Sequence, residues 1–242
     1  MGSPVVGCSC RVCRSRNPKD TRSRASLLVK KRNLSILIDT STEFRLQAIR
    51  EGITHLDAVF YTHSHADHLH GLDDIRPLTK DHPMPVYAGE TTMSDIKKRF
   101  DYIFSTKPGH KGGGRPKIEL LPMPSEGVTI QGLSIVPVPV FHGDMRIYGY
   151  RLGDLAYITD CSRIPEESYN VLKGVNKLII GALRKRPHPT HFSIDEAIAE
   201  AKKTGAEYTW LTHLCHDHSH DELLEMLPNK IEPAYDGLCI SV

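Results

Sequence analysis

The sequence has no run of about 18 apolar residues, the length that a membrane-spanning helix needs. It also does not open with a charged segment followed by an apolar one, so we expect no secretion signal and a cytoplasmic protein. The charge is nearly balanced, because 31 Lys and Arg residues stand against 29 Asp and Glu residues, a net charge of +2 with histidine neutral. This balance lacks the excess of positive charge that is typical of nucleic-acid-binding proteins.

Histidine is abundant, with 14 copies in 242 residues. His63, His65, Asp67 and His68 form the pattern H-x-H-x-D-H, which places four metal-binding side chains in one short turn. Imidazole and carboxylate groups suit Zn²⁺, Mn²⁺ or Fe²⁺. The apolar residues 58–61 lead directly into the motif, so it follows a predicted buried strand, where polar groups without a role would be costly. The motif therefore predicts a binuclear metal enzyme, and a solvated surface loop is the alternative.

Three further metal-binding side chains also follow predicted apolar strands. They are His142, Asp160 and His213. Ligands at the same ends of several strands can converge on one point although the chain separates them widely. The alternation of strands and helices predicts an α/β chain, and its length fits a single domain, 1–242, made of two packed halves with a boundary near 120–130.

The apolar periodicity also places the individual elements. The predicted strands are 26–29, 34–38, 58–61, 86–87, 133–140, 148–152, 155–159, 178–180 and 208–211. The predicted helices are 42–51, the segment from the histidine motif to Pro77, 91–99, 193–204 with a capping box at its start, and 221–227. The Gly-rich basic segment 107–117 is predicted to be a surface loop that either gates an anionic substrate or connects the halves.

A cysteine cluster lies near the start of the chain. Cys8, Cys10 and Cys13 offer three thiolates within six residues, a spacing typical of a metal clip. Three ligands are one fewer than a structural zinc needs, so a fourth must come from elsewhere. A disulfide set fits less well, because one cysteine would stay unpaired and a cytosolic enzyme is kept reduced. Three incidental buried thiols are the remaining alternative.

The order and spacing of the histidine and aspartate residues resembles the metallo-β-lactamase superfamily over almost the whole chain. The resemblance implies an α/β fold that is a four-layer αβ/βα sandwich. It also implies that one metal is bound by His63, His65 and His142, and the other by Asp67, His68 and His213. Asp160 would bridge both metals, and Asp39 would close an early strand beneath the site.

Two features separate the chain from particular branches of this superfamily. The antibiotic-hydrolysing members are secreted and commonly place cysteine at the second metal, where this chain has Asp160. Flavodiiron proteins carry glutamate where His65 stands here, which argues against redox chemistry. The branch that remains consists of hydrolases that cleave phosphodiesters.

Three segments, 7–13, 211–216 and 235–237, resemble the PhnP group of this superfamily. Members of this group hydrolyse phosphoribosyl 1,2-cyclic phosphate and carry an additional zinc held by three cysteines and a histidine. The resemblance implies a structural zinc bound by Cys8, Cys10, Cys13 and His216. Because His213 and His216 are three residues apart, this zinc would brace a ligand of the catalytic metals.

Relatives usually begin with a short strand ahead of residues 2–5, so either the start is truncated or an edge strand is missing.

His191 matches the non-ligand histidine that this group and its tRNA-processing relatives place beside the scissile phosphate. Such a histidine can protonate the departing oxygen or hold a phosphate oxygen, and an ordinary surface histidine is the alternative. His188 is a weaker candidate for the same role. The basic residues 184–186 either clamp a sugar phosphate or form a solvated turn. His220 is expected to face water.

We therefore expect an enzyme, a phosphoric diester hydrolase for small phosphorylated substrates such as phosphoribosyl 1,2-cyclic phosphate. Two divalent ions, Zn²⁺ or Mn²⁺ and about 3.5 to 4 Å apart, would activate a bridging hydroxide for attack on phosphorus. Asp67 and His191 are the predicted catalytic residues. A thioester or lactone hydrolase on the same fold and an RNA-processing or metal-binding protein are the alternatives. A homodimer is one option for the oligomeric state.

Overall fold

The computed structural model describes residues 2–105 and 114–241. The chain divides into two compact units, a smaller one formed by Ser26–Pro124 and a larger one formed by Met1–Ala25 together with Ser125–Val242. Each unit has its own β-sheet and its own apolar core. Among the described residues, no helix combines the length and the apolar character that crossing a bilayer requires.

The smaller unit contains a five-stranded sheet in the order β1-β2-β3-β4-β5. Its strands are β1 (Leu27–Lys31), β2 (Leu34–Ile38), β3 (Ala58–Phe60), β4 (Met84–Ala88) and β5 (Ile118–Pro122). β1 and β2 form an antiparallel hairpin, and every other pair of neighbours is parallel. Every residue of β2 and β3 is buried, as expected for central strands covered on both faces. The carboxyl ends of β2, β3 and β4 therefore lie at one edge of the sheet.

Within residues 26–105 and 114–124, four α-helices accompany this sheet. They are α1 (Phe44–Arg50), α2 (Ala66–Leu69), α3 (Glu90–Arg99) and α4 (Asp101–Phe104), and a 3₁₀ segment spans Leu72–Thr79. Phe44, Leu69, Ile75 and Ile96 contribute to the apolar core of the unit. Burial of these side chains fixes the helices against the sheet.

Gly71 ends the turn that follows the histidine motif, and the space around it excludes any side chain. A Cβ atom there would lie 2.2 Å from the carbonyl oxygen of Ser41 and 2.6 Å from the Cβ of Phe44. The Gly71 amide donates to the carbonyl oxygen of Thr40 at 3.0 Å. Glycine thus allows the backbone after the motif to pack directly on the loop that follows β2.

The larger unit contains a seven-stranded sheet in the order β12-β11-β10-β9-β8-β7-β6. Its strands are β6 (Val128–Ile130), β7 (Leu133–His142), β8 (Met145–Leu152), β9 (Leu155–Ile158), β10 (Lys177–Gly181), β11 (Tyr208–Thr212) and β12 (Ile231–Pro233). From β9 to β12 the neighbours are parallel, whereas β6 to β9 form antiparallel pairs. Because β7 and β9 are both antiparallel to β8, they run in the same direction. The carboxyl ends of β7, β9, β10 and β11 therefore lie at one edge.

Three helices belong to the larger unit, α5 (Glu166–Leu172), α6 (Ile194–Thr204) and α7 (His220–Met226). The predicted capping box is confirmed at the start of α6. The Ser193 side chain accepts from the Glu196 amide, and the Glu196 side chain accepts from the Ser193 amide. The helix ends at Gly205, which adopts the left-handed conformation.

The predicted α/β class is confirmed, and the differences concern short or irregular elements. The segment after the histidine motif is helical as predicted, but it is divided into α2 and the 3₁₀ segment Leu72–Thr79, which continues past the predicted end at Pro77. Helix α5 and the short strands β5, β6 and β12 were not predicted. Strand β7 continues to His142, so this histidine is the last residue of the strand. Of the predicted basic loop 107–117, residues 107–113 lie outside the described part of the chain.

Candidate functional site

The histidine motif of the smaller unit lies in the turn between β3 and α2. His63 and His68 are buried, and His65 and Asp67 are partly exposed. The ring centre of His63 lies 4.7 Å from that of His65 and 4.4 Å from that of His68. Asp67 Oδ2 is 3.9 Å from His68 Nε2. Four donor groups so close together fit a metal centre better than the solvated surface loop that was the alternative.

Asp39 orients two of these histidines. Its carboxylate, completely buried after β2, accepts from the Thr62 amide at 2.8 Å, from the Thr62 hydroxyl at 2.8 Å and from His68 Nδ1 at 2.8 Å. Because the Thr62 hydroxyl proton points to Asp39, its oxygen accepts from His63 Nδ1 at 3.0 Å. Both imidazoles therefore keep the lone pair on Nε2, the arrangement that a metal ligand needs. Burial raises the pKa of the Asp39 carboxyl, and His68 opposes that shift.

In the larger unit, His142, Asp160 and His213 stand at the ends of β7, β9 and β11, at the same edge of the sheet. All three side chains are buried. Asp160 Oδ1 lies 3.2 Å from His213 Nε2. Asp160, His191 and His213 each offer one ligand atom, and these atoms lie within 4.8 Å of one another. The larger unit thus has its own set of metal-binding groups.

Thr190 orients His142. Its carbonyl oxygen accepts from His142 Nδ1 at 2.6 Å, so the lone pair of this imidazole lies on Nε2. The neighbouring Gly143 has a positive φ of 60°, and a Cβ atom there would lie 3.0 Å from Thr190 Cγ2. A residue larger than glycine would therefore push against the side chain of the residue that orients His142.

His191 lies among three other imidazoles. Its ring is stacked on that of His213 at 4.9 Å and lies 4.6 Å from His142 and 5.0 Å from His188. Burial lowers the pKa of His191 to about 3, with Asp160 acting in the opposite direction. His191 is therefore a neutral imidazole, and it lies directly beside the predicted ligands of the larger unit.

Three predicted site residues have a backbone conformation that residues other than glycine rarely adopt. The φ angles are 64° at Asp39, 47° at Asp160 and 56° at His213. Each of these residues follows a strand end within two positions. A left-handed conformation at a residue other than glycine is uncommon and is concentrated at functional sites. The backbone thus turns sharply where each strand delivers a polar side chain.

The cysteine cluster surrounds one nitrogen atom. The Sγ atoms of Cys8, Cys10 and Cys13 lie 3.4, 3.3 and 3.3 Å from His216 Nδ1. A tetrahedral zinc with ordinary Zn–S and Zn–N bonds separates sulfur and nitrogen ligands by about 3.6 Å. These distances are close to that value, and the cysteines are free thiols, so the four residues fit a structural zinc. The Cys13 amide and His216 lower the pKa of Cys10 to about 6, which favours the thiolate that zinc binds.

Two contacts fix the cysteine segment to α7. The Arg11 guanidinium pairs with Glu222 at 2.6 Å, and Asp20 Oδ1 accepts from the His220 amide at 2.6 Å. Helix α7 follows shortly after His216, so these contacts hold both sides of the four-residue cluster.

The expectation that His220 faces water was wrong. Only 2% of this residue is exposed. His220 is the first residue of α7, where the amide contact with Asp20 holds it, and its ring meets the Tyr235 ring edge-on at 5.5 Å. The C-terminal segment therefore covers a histidine that the sequence pattern placed at the surface.

The predicted site residues fall into three groups. The smaller unit holds His63, His65, Asp67 and His68; the larger unit holds His142, Asp160, His213 and His191; the third group, also in the larger unit, is Cys8, Cys10, Cys13 and His216. That the first two groups bind one pair of metals stays a prediction.

Sequence reasoning missed Thr62 and Thr190. The role of Thr62 could have been suspected from the sequence, because Thr62 directly precedes His63. The role of Thr190 could not, because Thr190 acts through its backbone carbonyl oxygen, which every residue has.

A family model described as the beta-lactamase superfamily domain matches residues 35–214. This range includes every predicted ligand of the metal pair and excludes the cysteine cluster. A crystal structure described as a new diphosphatase from the PhnP family is 42% identical, covers 100% of this chain and 93% of that chain, and has a TM-score of 0.92. A Zn²⁺-bound PqqB from Methylobacterium extorquens is 19% identical, covers 100% of this chain and 96% of that chain, and has a TM-score of 0.76, a likeness of fold alone.

Among curated proteins, the octanoyltransferase of Porphyromonas gingivalis is 39% identical over 241 residues. The match covers 98% of this chain and 48% of that protein. The chain therefore spans about half the length of this curated relative, and the name describes the longer protein.

Proposed function

Because the chain belongs to the beta-lactamase superfamily and, within it, to the PhnP family, we propose that it is a metal-dependent hydrolase of small phosphodiesters such as phosphoribosyl 1,2-cyclic phosphate. One observation carries this proposal. At one edge of the larger sheet, His142, Asp160 and His213 lie beside the neutral imidazole of His191. Metal ligands next to a buried group that can donate a proton are what phosphodiester hydrolysis requires.

In this proposal the first metal is bound by His63, His65 and His142, and the second by Asp67, His68 and His213. Asp160 is the shared ligand. The metal pair, Zn²⁺ or Mn²⁺, supplies a water of lowered pKa and neutralises charge on the phosphoryl oxygens. A third ion, a structural zinc, is bound by Cys8, Cys10, Cys13 and His216.

Hydrogen bonds from neighbouring residues fix the orientation and the tautomer of three predicted histidine ligands. Asp39 directly fixes His68 and acts through the Thr62 hydroxyl on His63, and the Thr190 carbonyl fixes His142. Each of these contacts holds a proton on Nδ1 and presents the Nε2 lone pair. The carboxylates of Asp67 and Asp160 offset part of the positive charge that two divalent ions bring.

In this proposal His191 donates a proton to the leaving group. Burial keeps its imidazole neutral, and a neutral ring has one N–H that can donate to the departing oxygen. An approaching phosphate anion favours the protonated ring, because opposite charges raise the proton affinity of a base. The ring can therefore pass a proton to the alkoxide as the P–O bond breaks.

Replacing His191 by glutamine is expected to lower kcat for a cyclic phosphodiester by about 10² to 10³-fold, because the leaving oxygen loses its proton donor. Metal content, measured by elemental analysis, stays the same, since His191 is not a ligand in this proposal. His55→Gln serves as the control, because this exposed histidine of the smaller unit pairs only with Asp57 in the described contacts, at 3.1 Å. An unchanged kcat, or a loss of metal in the His191 variant, contradicts the assigned role.

A thioester or lactone hydrolase on the same fold is the second candidate, because the same metal-binding groups could activate water for attack on a carbonyl carbon. The substrate panel that separates the two contains phosphoribosyl 1,2-cyclic phosphate, bis(p-nitrophenyl) phosphate, an octanoyl thioester and a lactone, each assayed with Zn²⁺ and with Mn²⁺. We expect the highest kcat/KM for the cyclic phosphate. A higher kcat/KM for the thioester, unaffected by His191→Gln, would establish the second candidate instead.

A further inference from the structure

The first part of the histidine motif, His63, Ser64 and His65, belongs to no helix or strand. Strand β3 ends at Phe60, and helix α2 begins at Ala66. Keeping such a segment in one conformation costs entropy, so contacts from outside the segment must hold its backbone. Ser64 is the residue between two predicted metal ligands, and its contacts therefore decide how firmly both ligands are placed.

Helix α3 holds Ser64 at two points. The Ser64 hydroxyl donates to Asp95 Oδ2, and the Ser64 carbonyl oxygen accepts from Arg99 Nη1. Asp95 and Arg99 are one helical turn apart, where side chains of a helix are neighbours, and Arg99 Nη2 lies 3.8 Å from Asp95 Oδ2. The two charged side chains therefore contact each other and the same residue of the motif.

The helix that carries these two side chains is itself fixed. It follows β4, the neighbour of β3, so it begins at the edge of the sheet where the motif lies. Ile96, the residue after Asp95, is completely buried in the apolar core of the smaller unit, and Thr92 is also buried. Close packing of these residues resists rotation of the helix, so Asp95 and Arg99 start from a fixed backbone.

The contact with Arg99 acts directly on His65. The carbonyl oxygen of Ser64 and the amide nitrogen and Cα of His65 belong to one peptide group, which is planar. A hydrogen bond that fixes this oxygen therefore fixes the direction in which the chain enters His65. His65 is partly exposed, and its ring centre lies 4.7 Å from that of the buried His63. The orientation of this peptide thus determines where the His65 ring lies relative to the His63 ring.

We propose that Asp95 and Arg99 are positioning residues of the metal centre, which hold the Ser64 peptide so that His65 keeps the place of a metal ligand. This inference rests on the proposed function, because it takes His65 as a ligand. Arg99 supports the peptide directly, and Asp95 holds both the guanidinium and the Ser64 hydroxyl. Residues that orient metal ligands typically contribute about 10- to 100-fold to metal affinity.

The test measures the affinity of the protein for Mn²⁺ from the electron paramagnetic resonance signal of the unbound ion. Mn²⁺ is the probe because thiolates select zinc, so the cysteine cluster does not compete for it. With Arg99→Met we expect the Kd for Mn²⁺ to rise by about tenfold or more. Coulomb's law alone predicts the opposite change, since removing a positive charge near a cation site favours the cation. The sign of the change therefore separates positioning from electrostatics.

Two further variants show whether the residues act together. Arg99→Lys keeps the charge and one donor, so it should recover part of the lost affinity. The double variant of Arg99→Met and Asp95→Asn should lose less affinity than the product of the two single losses, because both residues act on one peptide. The metal-free variants should melt within about 2 °C of the metal-free native protein, which shows that the fold is kept.

Lys98→Met is the matched control, because Lys98 is an exposed cation of the same helix without a hydrogen bond or ion pair to another described residue. Its Kd for Mn²⁺ should stay equal to the native value or fall. Binding of Mn²⁺ by Arg99→Met that is as tight as native, or a double variant whose loss equals the product, would overturn the inference and leave the proposed function intact. A native protein that binds no Mn²⁺ would overturn the proposed function itself.

Discussion

Replacing Asp160 by asparagine is expected to lower kcat/KM for a phosphodiester by at least about 10³-fold, the largest effect of any single substitution in the proposed site. Asparagine keeps the shape of the side chain and removes its charge. The native carboxylate is buried, lies 3.2 Å from His213 Nε2 and occupies a left-handed turn with φ of 47°. If Asp160 is shared by two cations, its loss weakens both, and at least one ion should be lost per chain.

The matched control is Asp154→Asn, since Asp154 precedes the same strand and makes a surface pair with Lys177 at 3.5 Å. Kinetics, elemental analysis and a thermal melt are measured on both variants. The melt separates a lost ligand from a lost fold. Activity within about tenfold of the native value in Asp160→Asn, with metal retained, would rule out a shared carboxylate at this position.

Replacing Cys10 by serine is expected to remove one zinc per chain and to lower the melting temperature by about 10 °C, because a structural zinc holds four residues that are far apart in sequence. Cys10 Sγ lies 3.3 Å from His216 Nδ1 and accepts from the Cys13 amide at 3.4 Å. His216 is three residues from His213, so release of the zinc should also loosen the proposed catalytic ligand and lower kcat.

Cys239→Ser is the control, because Cys239 is exposed and contacts only the Gly237 carbonyl in the described structure. Calorimetry and elemental analysis are carried out on both variants after exchange into metal-free buffer. A Cys10→Ser protein with the native zinc content and the native melting temperature would mean that the cysteines are incidental thiols.

The elements that could be predicted from the sequence are those whose signals are local. The helix that begins after Ser193 was predicted because its capping box and the terminal glycine are both visible in the sequence, and both are present in the structure. The strand end at Asp39 was predicted because four of the five residues 34–38 are apolar, Ser35 being the exception, and all five are buried. Such features depend on neighbours in the chain, so the pattern contains them.

What could not be predicted depends on distant residues. Strand β12 has only three residues and exists because it pairs with β11, and β6 similarly depends on β7. Thr190 orients His142 across 48 positions through a carbonyl group, which every residue has. His220 is buried because Asp20, 200 positions away, accepts its amide. Contacts of this kind require the folded chain, because no local pattern records them.

The most direct test of the metal pair is electron paramagnetic resonance of the native protein reconstituted with Mn²⁺, together with a count of ions per chain. Two ions about 3.5 to 4 Å apart that share a carboxylate should give an exchange-coupled signal, and the count should be two in addition to the structural zinc. An uncoupled Mn²⁺ signal with one ion per chain, under saturating metal, would contradict the proposal that the H-x-H-x-D-H motif and Asp160 bind the same pair.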